Sequence, residues 1–257
     1  MCLTSLLRNK MEVYNPFSLE GKTVLVTGAS SGIGRSIAVA CAKMKANVII
    51  NGRNKERLSE TLSQMGGDGH KILAGDLTDA AALTSVVGEL PKLDGVVHCA
   101  GIGTRVLCKN IVESDIDQTF CVNFKAPVML QTEILKQKKI NKGGSVVFIA
   151  SISNDSPTVG NALYSASKGA LISYANCLQI ELAPRLIRVN CISPAMVWTD
   201  LIFKGGLTEK ELHEDELTYP LKRYGRPEDV ANLAVYLLSD ASSWMTGSNV
   251  KITGGAR

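Results

Sequence analysis

The sequence predicts an α/β fold, in the form of one Rossmann-type domain with a doubly wound parallel sheet of about seven strands. Short apolar runs alternate with longer helical patterns from Thr23 onward, which is typical of strand–helix–strand units. The apolar runs lack a polar face, as expected for strands that helices cover on both sides of the sheet. No change of composition marks a second domain, and a length of 257 residues is normal for one domain of this class.

The predicted elements follow one another in regular order. The first strand, residues 23–26, leads through a glycine-rich turn into an alanine-rich helix that ends near Lys45. A later helix carries Tyr164 and runs toward Ala183. Proline at position 227 suits the first turn of a helix, where its missing N–H needs no partner. The other predicted strands are 47–50, 72–74, 95–98, 144–151, 188–192 and 249–252, and the other predicted helices are 55–65, 79–89, 113–139, 209–216 and 227–239.

Composition and charge exclude several classes of function. The net charge of +4 is small and its basic residues are dispersed, which argues against a nucleic-acid partner. No apolar run approaches the roughly 18 residues that span a bilayer. The seven cysteines are scattered without zinc-site spacing, which favours reduced thiols, a cytoplasmic location and no metal. Residues 1–18 lack a signal-peptide pattern and are interpreted as a flexible arm before a domain over residues 19–257.

Tyr164 and Lys168 are candidates for acid–base catalysis. They are four positions apart in a predicted helix and therefore share one face, while Ser151 ends the preceding predicted strand. A phenol, an ammonium and a hydroxyl together are suited to moving a proton to or from a carbonyl oxygen. Lowering a tyrosine pKa from about 10 to near 7 requires about 4 kcal/mol. One positive charge at roughly 4 Å supplies that amount at an effective dielectric near 20. A surface lysine after a half-buried tyrosine is the alternative interpretation.

The turn after the first strand is a candidate for phosphate binding. It reads TGASSGIG over residues 27–34. Glycines permit a tight turn and the close approach of a pyrophosphate, and the helix start offers free N–H groups with a partial positive charge. Ordinary turns also contain glycine, and the spacing is G-x-x-x-G-x-G. Its position between a strand and a helix favours a dinucleotide cofactor.

From about Leu19 to Gly255 the chain resembles the short-chain dehydrogenase/reductase family. The resemblance rests on the glycine turn, Asn123 in a predicted helix, Ser151, the Y-x-x-x-K pair of Tyr164 and Lys168, and residues 194–199. Residues 220–231 are similar to the corresponding segment of 3-oxoacyl-carrier-protein reductases and of related sugar or polyol dehydrogenases. The resemblance implies hydride transfer between a nicotinamide cofactor and a carbonyl or secondary alcohol.

The same resemblance implies a role for each matching residue. Tyr164 would be the general acid or base, and Lys168 would hold the nicotinamide ribose and lower the tyrosine pKa. Ser151 would bind the substrate oxygen, and Asn123 would position a water in a proton relay. A homotetramer or dimer would form through the helices that begin near Glu113 and Gly160. The expected cofactor contacts are Gly28, Ser30, Ser31, Gly32, Ile33, Gly34, Arg53, Asp76, Leu77, Ala100, Gly101, Tyr164, Lys168, Pro194, Val197 and Thr199.

One segment departs from the family pattern, and another indicates which cofactor the chain prefers. The usual Asn-Asn-Ala-Gly after the fourth strand begins with His98 and Cys99 here, and we interpret His98 as a packed residue, not a catalytic base. Residues 51–54 contain no carboxylate for the ribose 2′-OH of NAD, whereas Arg53 is placed to pair with a 2′-phosphate. NADP(H) is therefore favoured over NAD(H), with a solvated arginine as the alternative.

The substrate is the least determined feature of the sequence. A substrate lid is expected near residues 198–220, with an apolar part formed by Trp198, Leu201, Ile202, Phe203 and Leu207. The favoured function is an NADP(H)-dependent carbonyl reductase, which includes reductases of 3-oxoacyl thioesters. The alternatives are an NAD-dependent sugar, polyol or secondary-alcohol dehydrogenase, and a cofactor-sensing protein without turnover.

Overall fold

The computed structural model of the protein describes residues 14–206 and 208–256. The strands are β1 (Thr23–Thr27), β2 (Asn47–Gly52), β3 (Lys71–Ala74), β4 (Leu93–His98), β5 (Ile140–Ile149), β6 (Arg188–Pro194) and β7 (Asn249–Ile252). The α-helices are α1 (Gly32–Lys43), α2 (Lys55–Gln64), α3 (Ala80–Gly88), α4 (Glu113–Phe120), α5 (Ala126–Lys136), α6 (Ala162–Leu182), α7 (Glu209–Glu216) and α8 (Pro227–Leu238). The strands form one 7-stranded parallel sheet, which confirms the predicted single-domain, doubly wound fold.

Two apolar layers cover the two faces of this sheet. Side chains alternate between the faces along each strand. In β1, Val24 and Val26 pack in the layer that contains α1 and α8, whereas Leu25 packs in the layer that contains α3, α5 and α6. Burial on both sides explains why the strands are apolar throughout, which is the pattern that predicts the fold.

The strand order places a crevice at one edge of the sheet. The order is β3-β2-β1-β4-β5-β6-β7, so the chain proceeds from β1 toward one side and from β4 toward the other. The loops that leave the carboxyl ends of β1 and β4 therefore diverge. Ligands of open α/β sheets usually bind at such a switch point.

The helix predicted over residues 113–139 is interrupted and shorter than expected. A π-helical segment, Cys121–Lys125, separates α4 from α5. The helix then ends at Lys136, because Lys138 adopts a left-handed conformation with a φ of 53°. The chain reverses at that residue, and β5 begins earlier than the predicted residue 144.

The end of β5 also differs from the prediction. The strand ends at Ile149, so Ser151 lies beyond it, at the N-cap of a short 3₁₀ turn, Ile152–Asn154. The Ser151 hydroxyl accepts a hydrogen bond from the Ser153 N–H at 3.2 Å. Serine side chains often bond to nearby backbone in this way instead of continuing a strand.

The last residues of the predicted arm contact α8 and the turn that follows it. Of the predicted arm, residues 1–18, positions 1–13 lie outside the described residues. The Phe17 ring lies 6.2 Å from the Tyr236 ring, and the Ala241 N–H donates to the Pro16 carbonyl at 3.0 Å. Leu19, where the predicted domain begins, is fully buried. In the part of the chain that the structure describes, no helix combines the length and apolarity that crossing a membrane requires.

Candidate active site

A cleft of about 1220 Å³ opens at the carboxyl edge of the sheet. Every residue predicted to bind the cofactor lines this cleft, from Gly28 in the glycine turn to Thr199 after β6. Of the predicted catalytic residues, Ser151, Tyr164 and Lys168 also line it. Asn123 does not, because its side chain is fully buried behind the wall.

The glycine turn is shaped for the close approach of an anion. A Cβ at Gly34 would lie 2.3 Å from the Gly28 carbonyl oxygen, and a Cβ at Gly28, whose φ is 66°, would lie 2.8 Å from the Ala100 backbone. Ser31 caps α1 without a side-chain hydrogen bond, and no acidic residue occupies the first turn. The N–H groups of this helix start are therefore available to an external acceptor. These features fit the pyrophosphate of a dinucleotide.

Two side chains without a predicted role hold the turn in place. The Thr27 hydroxyl accepts hydrogen bonds from the N–H groups of Cys99 and Ala100, at 3.0 and 3.2 Å. Arg35 donates to the Ser30 carbonyl at 2.6 Å. These residues join β1 to the loop after β4 and α1 to its own turn. The signal in the sequence is weak, since a threonine at a strand end and an arginine in a helix are both common.

Tyr164 and Lys168 share one face of α6, as predicted. The Lys168 ammonium lies 5.9 Å from the centre of the Tyr164 ring and donates to the Ile149 carbonyl at 2.8 Å. Only 5% of Lys168 is exposed. Burial lowers the pKa of Lys168 to about 8, which leaves the ammonium mainly charged at neutral pH. The tyrosine also forms a hydrogen bond with Ser151.

The predicted lowering of the Tyr164 pKa by Lys168 is wrong for this arrangement. Burial raises the pKa of Tyr164 above its usual value, and the hydrogen bond with Ser151 opposes that rise. Loss of water disfavours the phenolate. The ammonium is bonded to the Ile149 carbonyl rather than to the phenol. Burial of the phenol therefore outweighs its hydrogen bond with Ser151, and the net pKa of Tyr164 lies above the usual value.

Asn123 lies in the π-helical segment and connects three parts of the site. Its amide group donates to the Ile102 carbonyl at 3.0 Å and to the Ser167 hydroxyl at 3.1 Å, and its oxygen accepts from the Ile102 N–H at 2.8 Å. A Cβ at Gly101 would lie 3.2 Å from the Asn123 oxygen and 3.3 Å from the Lys168 nitrogen. Asn123, Gly101 and Lys168 are thus neighbours. Single turns of π-helix are frequent at functional sites.

His98 is packed in the interior. Its ring stacks on Phe148 at a centroid distance of 4.5 Å, and its Nε2 lies 3.0 Å from the Gln131 side-chain oxygen. Burial lowers the pKa of His98 to about 4, so the ring is neutral at physiological pH. The interpretation of His98 as a packed residue is confirmed.

Cys99, the next residue, lines the cleft as an unreactive thiol. Burial raises the pKa of the Cys99 thiol to about 12, and the charge of Lys168 only partly opposes that rise. A thiol with so high a pKa stays protonated at neutral pH and is a poor nucleophile. Within the described residues, no group of three or more His, Cys, Asp or Glu side chains could hold a metal ion. We therefore interpret Cys99 as a small, uncharged side chain in the lining of the cleft, beside Tyr164 and Lys168.

Two arginines stand near the end of β2, and each has an acidic neighbour. The Arg53 guanidinium lies 3.7 Å from the Asp76 carboxylate, and the Arg57 guanidinium lies 3.9 Å from the Asp200 carboxylate. The sequence indicates Arg53 and Asp76 separately, and the structure brings them together. A hydrogen bond from the backbone of Thr78 is the largest cause of the lowered pKa of Asp76.

The substrate half of the cleft lies between a polar wall and an aromatic one. The predicted lid residues Leu201 and Ile202 line the cleft, and Trp198 packs against Phe203 with ring centroids 6.2 Å apart. Leu207, also assigned to the lid, lies outside the described residues. The aromatic wall includes Tyr219, which lies within the predicted lid, and Tyr224, which the sequence prediction did not assign to the site. The polar wall consists of Ser153, Ser156, Thr158 and Asn161.

The crevice at the switch point, the glycine turn and the Tyr164–Lys168 pair define an oxidoreductase that uses a nicotinamide dinucleotide. A family model described as enoyl-(acyl carrier protein) reductase matches residues 28–257. The chain belongs to the short-chain dehydrogenase/reductase family. It is an NAD(P)-dependent enzyme that interconverts CH–OH and C=O groups. The alternative of a cofactor sensor without turnover is therefore set aside.

Similar proteins come from several branches of this family. The chain is 37% identical to the 3-oxoacyl-[acyl-carrier-protein] reductase FabG of Rickettsia felis, over 92% of this chain and 97% of the relative. It is 30% identical to human dehydrogenase/reductase SDR family member 4, over 92% of this chain and 88% of the relative. A solved structure of a putative NAD(P)-dependent gluconate 5-dehydrogenase from Beutenbergia cavernae, with bound NADP, is 32% identical. Its TM-score is 0.84, and the match covers 94% of this chain and 98% of that one.

Proposed function

We propose that the protein is an NADP(H)-dependent reductase of carbonyl compounds, with 3-oxoacyl thioesters as its substrate class. The observation that carries this proposal is the convergence of Ser151, Tyr164 and Lys168 at the cleft edge beside the glycine turn. The likeness to 3-oxoacyl reductases over 92% of the chain supports the substrate class.

In this proposal Tyr164 is the general acid of the reduction. A tyrosine phenol is protonated at neutral pH, so its proton is available to a carbonyl oxygen. Ser151 binds that oxygen and also contacts the phenol. The Lys168 ammonium stabilises negative charge that develops on the phenol as the proton leaves. The nicotinamide supplies the hydride when it is bound, and the protein contributes orientation and electrostatics.

Asn123 and the residues of the glycine turn have supporting roles. Asn123 fixes the loop that contains Gly101 against α6 and, in this proposal, positions a water that relays protons to Lys168. The cleft-lining residues of the predicted set bind the cofactor. The pyrophosphate binds at the start of α1, where N–H groups and the helix dipole favour negative charge.

The preference for NADP(H) follows from charge at the end of β2. Asn51 and Gly52 supply no carboxylate that would repel a phosphate, and Arg53 and Arg57 line the same end of the cleft. A guanidinium binds a phosphate through charge-assisted hydrogen bonds. In this proposal the 2′-phosphate competes with Asp76 for Arg53.

A sugar or polyol dehydrogenase is the second candidate function. The polar wall of Ser153, Ser156, Thr158 and Asn161 favours it, because hydroxyl and amide groups suit a polyhydroxylated substrate. The similarity to a putative gluconate 5-dehydrogenase also supports it. An NAD-dependent form of this activity remains the alternative to the NADP(H) assignment.

The test is a screen of NADPH and NADH against ketones, 3-oxoacyl thioesters and polyols, with Tyr164→Phe as the key variant. Without the proton donor, turnover should fall by roughly a hundredfold or more, while NADPH affinity stays near the unmodified value. Tyr174→Phe is the matched control, since Tyr174 is on the same helix but packs against Phe124 and Phe148. Normal turnover in Tyr164→Phe would contradict the assigned role. Activity only with polyols would favour the second candidate.

We also propose that the protein is cytoplasmic and assembles as a homotetramer or dimer through α4 and α6. Ile116 on α4 and Ile180 on α6 are 42% and 67% exposed, although both are apolar. Such side chains suit a protein contact. Light scattering at micromolar concentration should give a dimer or tetramer mass, and a monomer mass would contradict the proposal.

The proposed cytoplasmic location is supported by the cysteines of the described ranges, which are free thiols and suit a reducing compartment. Cell fractionation would test this location.

A further inference from the structure

The aromatic wall of the substrate half, which we call its outer wall, is linked to other segments of the domain by the carboxylate of Glu216. Glu216 is the last residue of α7. One of its oxygens accepts hydrogen bonds from the Trp198 indole N–H at 2.8 Å and from the Tyr224 backbone N–H at 3.2 Å. Its other oxygen lies 2.8 Å from Nδ1 of His213. Trp198 follows β6 and Tyr224 precedes α8, so Glu216 joins three separate segments.

The side chains around Glu216 form a connected group. The Trp198 ring lies 4.8 Å from the His213 ring and 5.4 Å from the Tyr224 ring, measured between centroids. The Tyr224 hydroxyl donates to the carboxylate of Asp215. Two neighbouring carboxylates at the end of α7 thus hold one buried tyrosine. We call Trp198, His213, Asp215, Glu216 and Tyr224 the clasp.

The hydrogen bonds to Glu216 are shielded from water and have an ionised acceptor. Its side chain is 15% exposed, so water competes little for its oxygens. The hydrogen bond with His213 is the largest cause of the lowered pKa of Glu216. The carboxylate is therefore ionised at neutral pH, and bonds to an ionised acceptor are stronger than neutral ones.

Several residues that line the cleft belong to the clasp or lie next to it in the chain. Asp215, Thr218, Tyr219 and Tyr224 all line the cleft, whereas Glu216 does not. Glu216 therefore acts on the cleft only through the residues that it holds. Without it, the Trp198 and Tyr224 N–H groups would lose their acceptor, and the end of α7 would lose its bond to the loop after β6.

We propose that Glu216 is a positioning residue that keeps α7 closed over the substrate half, so that the outer wall is formed before the substrate binds. A preformed wall avoids the loss of conformational entropy that would otherwise accompany binding. Loss of the clasp should therefore weaken substrate binding more than the chemical step, because Tyr164, Lys168 and Ser151 belong to other segments. The kinetic part of the test rests on the proposed function, and the spectroscopic part does not.

The first experiment measures the exposure of Trp198. The protein has two tryptophans, and Trp244 is fully exposed, so Trp244→Phe leaves Trp198 as the reporter. In that background, acrylamide quenching of Trp198 should increase about twofold or more in Glu216→Ala, as expected when a held segment opens. Glu216→Gln should give a smaller increase, since its amide oxygen still accepts hydrogen bonds. Glu214→Ala is the matched control, because Glu214 is on the same helix and pairs with Lys210 at 3.7 Å.

The second experiment measures steady-state kinetics with NADPH and acetoacetyl-CoA, a soluble 3-oxoacyl thioester. In Glu216→Ala the KM for the thioester should rise about tenfold, because part of the binding free energy would then be spent on ordering the wall, while kcat changes less. Glu216→Gln should recover part of the affinity, and Glu214→Ala should match the unmodified protein. A merely structural role would lower the melting temperature without this separation of KM from kcat.

The outcomes separate this proposal from the proposed function. Unchanged quenching in Glu216→Ala would overturn the clasp, whatever the activity. Increased quenching without turnover of acetoacetyl-CoA would support the clasp and contradict the thioester assignment. If Glu216→Ala does not fold, Trp198→Phe removes the indole donor and keeps an aromatic ring. An unchanged KM in that variant would overturn the proposal, and a raised KM with a nearly normal kcat would support it.

Discussion

The two halves of the cleft are built in different ways. The cofactor half is formed mainly by backbone: the turn before α1 is so tight that a Cβ at Gly34 would lie 2.3 Å from a carbonyl oxygen. The outer wall of the substrate half is held by side chains, with Glu216 joining Trp198 and Tyr224. Backbone contacts suit the cofactor, which many enzymes share. Side-chain contacts can be altered by single substitutions, and they suit the substrate, which differs from one enzyme to another.

Substitutions in the two halves should have different effects on cofactor and substrate binding. A substitution in the glycine turn should disturb the cofactor site, because the atoms there have little room to move. A change in the side-chain-built half should alter the substrate affinity while the cofactor site stays intact. Substitutions in each half can therefore test whether the two are as independent as the geometry suggests.

Glycine substitutions in the two halves should give the largest contrast. Gly34→Ala should weaken NADPH binding by roughly a hundredfold or more, about 2.7 kcal/mol, because the new Cβ forces the turn open. Gly206, within the predicted lid, has a φ of 81°, and a Cβ added there would meet no atom of the described residues within 4 Å. Gly206→Ala should therefore cost only the strain of a left-handed alanine, about 1–2 kcal/mol of stability, with little change in NADPH affinity.

Fluorescence titration with NADPH and thermal unfolding would measure these two effects. Circular dichroism of Gly34→Ala checks that the sheet and helices have formed. Equal losses of NADPH affinity in the two variants would contradict the proposed separation of the halves.

Lys168 lies where the two halves meet, and its burial should reduce the stability of the fold. A pKa of about 8 instead of the usual 10.5 corresponds to roughly 3 kcal/mol at neutral pH. Lys168→Met should remove that penalty but also lose the charged hydrogen bond to the Ile149 carbonyl, worth about 1.5 kcal/mol. We expect a net gain of about 1.5 kcal/mol in the free energy of unfolding near pH 7, together with loss of activity.

The gain should depend on pH in a defined direction. Below pH 8 both folded and unfolded chains carry the ammonium, and the folded state bears the full penalty. Between pH 8 and 10.5 the unfolded chain binds more protons, so the stability contributed by Lys168 in the unmodified protein rises with pH. Urea unfolding of both proteins across this range should show the advantage of Lys168→Met shrinking. If the extra stability of Lys168→Met stayed constant with pH, burial of the Lys168 charge would not be its cause.

In the cofactor half, the choice between NADP(H) and NAD(H) should depend on a side chain, that of Arg53, and not on the backbone. Arg53→Ala should weaken NADPH binding by about tenfold, or 1.4 kcal/mol, because the arginine side chain is 71% exposed and already pairs with Asp76. NADH has no 2′-phosphate and should bind almost unchanged. This is the smallest of the expected effects.

The ratio of the two cofactor affinities is the quantity to measure for Arg53→Ala. Lys55→Ala is a suitable control, since Lys55 is a nearby exposed cation that does not line the main cleft. Equal losses for both cofactors, or a preference of the unmodified protein for NADH, would contradict the NADP(H) proposal and leave the oxidoreductase class untouched.

Local patterns were enough to predict the fold and most of the cleft. Seven apolar runs predict the strands of the sheet, because burial on both faces requires apolar side chains at every position. The glycine turn and the Tyr164–Lys168 pair are likewise short-range patterns. The broken helix over residues 113–139 was not predicted, since the π-helical segment has no distinctive composition.

The sequence by itself determined the sheet, the glycine turn and the choice of Ser151, Tyr164 and Lys168 as catalytic candidates, because each depends on neighbours within a few residues or on the burial of a repeating pattern. Tertiary structure alone decided the direction of the Tyr164 pKa, which follows from how completely the surrounding chain excludes water. It also decided the clasp, whose Trp198 and Glu216 are separated along the chain and are brought into contact by the fold. Desolvation and long-range contacts depend on the whole fold, and no local pattern encodes them.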